Sequence, residues 1–163
     1  MILTIQKPLS FNELGKRDNQ EDYRWPLPEE ASENGRVFIV CDGVGGHEGG
    51  EVASSTVANA IGSFLSRFNW NEQYMVPDMM ESAVEYAYSE LDKKDNGAER
   101  KMATTLTCIV LHRGGVFLAH MGDSRIYHVR PNQTGVACVE YVTLDHSAVN
   151  DLVRLGEIGR AHV

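Results

Sequence analysis

Residues 36–54 read RVFIVCDGVGGHEGGEVAS, and they set the architecture of the chain. RVFIVCD is a short apolar run with β-branched residues, the pattern of a buried strand. It ends on a single carboxylate, Asp42, and then five glycines fall within residues 41–54. From Glu51 the apolar period changes. Ala53, Val57, Ala60, Ile61, Phe64, Leu65 and Phe68 recur at three- and four-residue steps, which predicts an amphipathic helix beginning after the glycines. A strand, a glycine loop headed by an acid, and a helix follow one another without a linker.

The glycines do not fit the common phosphate and calcium loops. Gly43 and Gly45 begin a GxGxxG fingerprint, but its third glycine position is Glu48. No GK[ST] tripeptide closes a P-loop, and Val44 and Gly46 stand where a calcium loop needs oxygen side chains. Asp42 itself is more informative. A carboxylate at the end of a buried strand is costly unless it is paired, hydrogen-bonded or bound to a metal. Gly43 leaves the adjacent carbonyl open to a ligand, and hard cations such as Mg²⁺ or Mn²⁺ take carboxylate, carbonyl and water oxygens together. An isolated Asp-Gly is more often a turn. Two further acidic stretches bear on the choice. RDNQED (17–22) places Glu21 and Asp22 side by side with Arg17 four positions before Glu21, and GDSR (122–125) sets Asp123 between two strand candidates. Taken singly, the first is a solvated charge run and the second a β-turn.

Outward from this centre, MILTI at the N-terminus reads as an opening strand and PLPEEASENG (26–35) as a polar loop. A second helix follows Pro77, with Met80, Val84, Ala87 and Leu91 in register, and KKDNGAERK (93–101) is a charged loop. TTLTCIVLH, VFLAHMG, RIYHVR and VACVEYVTL are strand candidates, with Gly114 and Gly115 at a hairpin turn and PNQTG at another. Ser147 is placed to cap a last helix through Leu152, Val153 and Leu155, stopped by Gly156. Strand, helix, helix, a meander of strands and a helix predict an α+β layered domain with antiparallel sheet.

The 163 residues suit one domain, with 42% hydrophobic and 23% charged residues. A formal net charge of -8 argues against nucleic acid or an anionic membrane as partner. No run reaches the roughly 18 apolar residues of a membrane span, and the N-terminus lacks a signal-peptide pattern, so a cytoplasmic location is expected. Cys41, Cys108 and Cys138 are far apart and odd in number, which predicts buried apolar thiols rather than a disulfide or zinc framework.

Five stretches in order now carry a resemblance: RDNQED, VCDGVGGHEGGEVAS, ATTL (103–106), HMGDSRIY (120–127) and TLDHSAVNDLVRLGEI (143–158). Together the chain resembles the bacterial branch of the PPM/PP2C family of metal-dependent serine/threonine protein phosphatases. That resemblance implies a layered β-sandwich of antiparallel sheets flanked by helices. It also implies two bridged Mn²⁺ or Mg²⁺ ions, with a third in some members, that activate water against a phosphomonoester. Residue by residue, it implies Asp42 as bridging ligand and the Gly43 carbonyl on one metal. Glu21 would reach the other directly or through water, with Asp22 as ligand or supporting partner, and Asp123 would serve the third ion. Arg17 matches the phosphate-binding arginine, with adjacent Lys16 the alternative. His47 is a candidate general acid, a turn-stabilising role standing beside it, and solvent can supply the proton instead. Thr104 and Thr105 would support the sheet below the site, and Arg125, Asp145 and His146 would be structural. The implied partners are phosphorylated proteins, opposing a Ser/Thr kinase.

The family pattern also requires two later aspartates in Asp-Gly and Asp-Asn contexts. No aspartate follows Asp151, and Asp18-Asn19 and Asp95-Asn96 do not match those positions. The expectation is therefore a single PP2C-like domain over 1–163 lacking the family's C-terminal part, a fragment or a truncated product. Its activity is either that of a phosphatase or that of a catalytically inactive binding or regulatory module.

Overall fold

The computed structural model describes residues 4–44, 49–94 and 101–147. The elements are β1 (Asp22–Trp25), β2 (Val37–Asp42), α1 (Gly50–Leu65), α2 (Pro77–Asp92), β3 (Leu106–His112), β4 (Gly115–Met121), β5 (Tyr127–Pro131) and β6 (Ala137–Val142). The first four strands form one antiparallel sheet in the order β1-β2-β3-β4, and β5 and β6 form a separate antiparallel ribbon.

The sheet has two unlike faces, because strand side chains alternate. Val37, Ile39 and Cys41 of β2 and Leu106, Cys108 and Val110 of β3 are buried on one face. They meet Ala58, Ile61 and Leu65 of α1 in one core, with Met80, Ala83 and Ala87 of α2 behind. Gly62 is a notch in α1 for the indole of Trp25, since a Cβ there would lie 2.3 Å from the ring. The helix closes on Trp70, whose Nε1 donates to the Leu65 carbonyl at 2.8 Å. Pro77 starts α2 at a position where its missing N–H costs nothing.

The opposite face carries Phe38, Val40, Thr107 and Ile109, with Val40 half exposed. Pro8–Ser10 and Arg125–Tyr127 border a groove over it, together with Arg24. Arg24 Nε is buried there without a hydrogen-bond partner among the described residues.

Several sequence expectations are corrected. Of the expected MILTI strand, Thr4 and Ile5 are irregular, as are residues 6–10, and Met1–Leu3 lie outside the described residues. The first strand among the described residues is DYRW, hidden inside a charged stretch. Phe68 lies beyond the end of α1 and packs on Trp70 with ring centroids 5.2 Å apart. Gly115 belongs to β4, so Arg113 and Gly114 alone make the hairpin loop. The strand meander is interrupted after Met121, where the chain leaves the four-stranded sheet and enters the ribbon. Cys41 and Cys108 are buried thiols, each pushed up to about 12 by burial, but Cys138 is exposed on β6. Both strands of the ribbon are largely exposed, so Cys138 has no layer over it among the described residues. The helix expected after Ser147 lies outside the described residues.

Candidate metal centre

The register of β1 against β2 sets Asp22 directly across from Asp42, and cross-strand partners project to the same face. Alternation puts both on the face away from the helices, at the rim of the sheet. Burial drives the Asp42 pKa upward first, and the negative charge of Asp22 adds to it. Asp123 pushes the same way from further off, Arg17 opposes, and a carboxyl–carboxyl hydrogen bond with Asp22 favours the protonated form. Two acids are thus brought together with a third in electrostatic range, a repulsion relieved either by protonation or by a cation.

Asp42 is held by its backbone on both sides. The next residue, Gly43, donates to the Glu21 carbonyl at 3.0 Å on the β1 side. On the β3 side the Asp42 carbonyl accepts from Thr105 N at 2.8 Å and from Thr104 Oγ1 at 2.9 Å. The Asp42 N–H turns to the Thr105 hydroxyl, at 3.0 Å, rather than to a backbone carbonyl. Gly43 bridges Thr104, and Val44 N donates to the Ala103 carbonyl at 2.9 Å. The glycine at 43 has a second reason beyond opening its carbonyl. A Cβ there would lie 2.1 Å from the Gly50 carbonyl oxygen, so the strand end and the first turn of α1 pass in backbone contact.

Glu21 does not stand beside Asp22 on that face. Its Oε2 accepts from Arg17 Nη1 at 3.2 Å, and its carboxylate packs against Gly50 at the N-terminus of α1. Arg17 is 70% exposed and holds Glu21 through one nitrogen of its fork. Asp123 is exposed in the turn after Gly122. That turn is fixed by Arg125, whose Nε and Nη2 each donate to Asp145 at 2.6 Å, and by His146 N donating to the Gly122 carbonyl at 2.9 Å. The Arg125 guanidinium holds the Asp145 carboxyl below the usual carboxylate range. His120 and His146 pack with ring centroids 4.5 Å apart. His47 lies outside the described residues.

The structure thus brings Asp22 to Asp42, sets Asp123 and Arg17 within electrostatic range, and places Glu21 between Arg17 and α1. Among the described residues, no three His, Cys, Asp or Glu side chains form a cluster that could hold a metal ion. Two carboxylates and a glycine carbonyl still suit Mg²⁺ or Mn²⁺, which commonly keep several waters and take only one or two protein carboxylates. The donor set is all oxygen, as a hard cation requires. Sequence reading had not found the link between Thr105 and Ser124, whose hydroxyls lie 2.7 Å apart. Both residues sit inside quoted motifs, but no local pattern announces a contact across nineteen positions.

These features define an α+β sheet-and-helix protein with an acidic centre at the strand ends. The family model described as Protein phosphatase 2C matches residues 19–150, and the chain belongs to that family. It is 33% identical over 140 residues to the serine/threonine phosphatase stp of Listeria welshimeri, covering 80% of this chain and 51% of the relative. It is 30% identical over 150 residues to the protein phosphatase PhpP of Streptococcus pneumoniae, covering 88% and 56%. Among solved structures, the serine/threonine phosphatase Stp1 from Staphylococcus aureus matches with a TM-score of 0.68 at 27% identity, over 95% of this chain and 61% of that one. The catalytic domain of PstP in complex with 2 manganese ions matches at 0.63 and 27% identity, over 96% and 60%. The chain spans about half the length of the curated relatives it matches. Among the described residues no helix is long and apolar enough to cross a membrane.

Proposed function

We propose that this chain carries the N-terminal part of the centre of a metal-dependent phosphatase acting on phosphoserine and phosphothreonine in proteins, in opposition to a Ser/Thr kinase. The observation that carries this reading is the cross-strand Asp22–Asp42 pair, with its raised Asp42 and nearby Arg17. Asp42 and Asp22 would hold the principal Mn²⁺ or Mg²⁺ sites with the Gly43 carbonyl, Glu21 contributing through water and Asp123 holding a third ion. Bound metal supplies charge neutralisation and a water acidic enough to act as nucleophile. Arg17, which holds Glu21 through one nitrogen of its fork, would receive phosphate oxygens on the others; His47 stands as the candidate proton donor. The test is Mn²⁺-dependent release of phosphate from a phosphothreonine peptide, with the stp protein of L. welshimeri as reference. Activity should vanish in Asp42→Ala and under chelator; turnover that survives both would sink the reading.

A second reading is a phosphoprotein-binding module without turnover. It is favoured by the lack of a three-ligand cluster among the described residues. Phosphopeptide binding with no phosphate release at saturating Mn²⁺ would select it.

A further inference from the structure

We propose that the hydroxyls of Thr105 and Ser124 form a positioning link that sets the Asp123 turn against Asp42; this rests on the metal-centre reading above. The Thr105 hydroxyl accepts the Asp42 N–H at 3.0 Å and lies 2.7 Å from Ser124 Oγ. A hydroxyl has one proton to give and two lone pairs. With one lone pair used by the Asp42 amide, Thr105 joins Ser124 through its proton or its other lone pair, and either sense makes a continuous chain. The chain runs from the backbone of Asp42, through two side chains, to the residue that follows Asp123.

Three observations show that this contact is built rather than incidental. Thr105 is 7% exposed, so its oxygen has little access to water as a substitute partner. The Thr105 side chain takes a place that a ladder carbonyl would ordinarily fill opposite Asp42, while Thr105 N still donates to the Asp42 carbonyl at 2.8 Å. Gly122 has φ +96°, and a Cβ there would lie 2.8 Å from Thr105 Cγ2, so the turn carrying Asp123 is seated on the Thr105 methyl as well. Thr105 thus holds both carboxylate-bearing segments, one by its hydroxyl and the other by hydroxyl and methyl. Thr104, its neighbour, bonds the Asp42 and Thr105 carbonyls through its hydroxyl. Thr105 therefore ties the Asp42 segment to the Asp123 turn, alongside the Arg125–Asp145 pair that fixes the turn itself, and so bears on the ability of the two acids to share bound cations.

Threonine is the residue that supplies both contacts. Valine keeps the methyl and loses the hydroxyl; serine keeps the hydroxyl and loses the methyl. The experiment is Mn²⁺ titration by isothermal calorimetry and by electron paramagnetic resonance of the free ion, on the 163-residue chain and its Thr105→Val, Thr105→Ser, Ser124→Ala and Asp42→Asn variants. Thermal unfolding in chelator is followed alongside. Supporting residues around metal ligands are typically worth 10–100-fold in affinity. Thr105→Val should weaken Mn²⁺ binding by about tenfold or more, and Thr105→Ser should recover most of it. Ser124→Ala should weaken it by less, and Thr105→Val combined with Ser124→Ala should be no worse than Thr105→Val alone, because one link is broken once. Wild-type Mn²⁺ affinity in Ser124→Ala would overturn the link, and that readout stands even if Thr105→Val fails to fold; a loss in Ser124→Ala that adds in full to that of Thr105→Val would overturn it as well. Asp42→Asn separates the two claims: unchanged Mn²⁺ binding there overturns the metal-centre reading itself, whereas lost binding there with normal binding in Thr105→Val overturns only the link.

Discussion

Gly43→Ala tests the tightest site among the described glycines. The added Cβ would lie 2.1 Å from the Gly50 carbonyl oxygen, 2.4 Å from its carbon and 2.8 Å from its Cα, whereas ordinary contact begins at 3.4 Å. All three atoms are backbone, so no side chain can swing away. Gly43 does not have a left-handed φ, so the whole cost is steric. A shortfall of about 1.3 Å must be absorbed by the start of α1 or by the end of β2. The helix is the harder body to move, because Ala53, Ala58, Ile61 and Leu65 are each fully buried along it. The strand end therefore yields, and it carries Asp42 away from Asp22.

Overpacking of this kind costs about 1–3 kcal/mol. At this chain length each kcal/mol lowers Tm by roughly 2–4 °C, so a fall of about 2–12 °C is expected in circular-dichroism melts. The displaced ligand should also weaken Mn²⁺ binding by about tenfold or more, read by calorimetry. A Tm within about 1 °C of wild type, with unchanged Mn²⁺ affinity, would refute both the contact and the claim that it positions Asp42.

Other outcomes follow from the same geometry. Leu65→Ala removes a side chain with no exposed surface at the α1–sheet contact and should cost about 2–5 kcal/mol in chemical denaturation, with the midpoint shifted and the slope unchanged. Arg17→Ala should raise KM for a phosphate ester more than it lowers kcat, and Arg17→Lys should rescue little, since a point charge lacks the fork; a pure kcat effect would remove Arg17 from phosphate binding. Because Asp42 has a folded pKa above the ordinary 3.8, the native state binds its proton more tightly than the unfolded chain does. Metal-free stability should accordingly fall as pH rises from 3.8 through that higher folded value and stay lowered beyond it. Asp42→Asn should flatten this part of the pH profile measured by thermal melts in chelator.

The helices and most strands were legible because their signals are local and repeated. The three- and four-residue spacing from Ala53 to Leu65 is the buried stripe of α1, and Pro77 marks the first turn of α2. RVFIVCD is β2 because its alternate residues Val37, Ile39 and Cys41 fill the core. DYRW escaped notice for the opposite reason. It is four residues long, and its two inward side chains, Tyr23 and Trp25, alternate with Asp22 and Arg24 inside a charge run. MILTI had the β-branched composition of a strand, but propensity alone does not pair a strand, and the following segment crosses the outer face as irregular chain. Within the site, Arg17 and Glu21 were legible only as charges four positions apart in a charge run, and the structure pairs them directly. The meeting of Asp22 with Asp42 was not legible, because it depends on strand register across twenty positions. The Thr105–Ser124 contact is hidden for the same reason.

The two faces of the sheet explain why the acids can sit together at all. On the helix side an unpaired carboxylate would be buried among Cys41, Ile61 and Leu65, where desolvation is severe. On the other side Asp22 is exposed and Asp42 only partly buried, so water or a hydrated cation can reach both. Alternation along β2 makes this assignment rigid: a one-residue slip would carry Asp42 into the core and Cys41 out of it. The register is held on both edges by bonds to β1 and β3 that involve backbone and threonine hydroxyls, such as Thr107 Oγ1 on the Val40 carbonyl at 2.9 Å. None of those bonds draws on the Asp42 carboxylate. The Asp42 carboxylate is consequently left free of strand-register duty, and in the absence of a cation its repulsion with Asp22 is relieved by protonation. Metal binding at this centre should therefore stabilise the fold without rearranging the strands that present it.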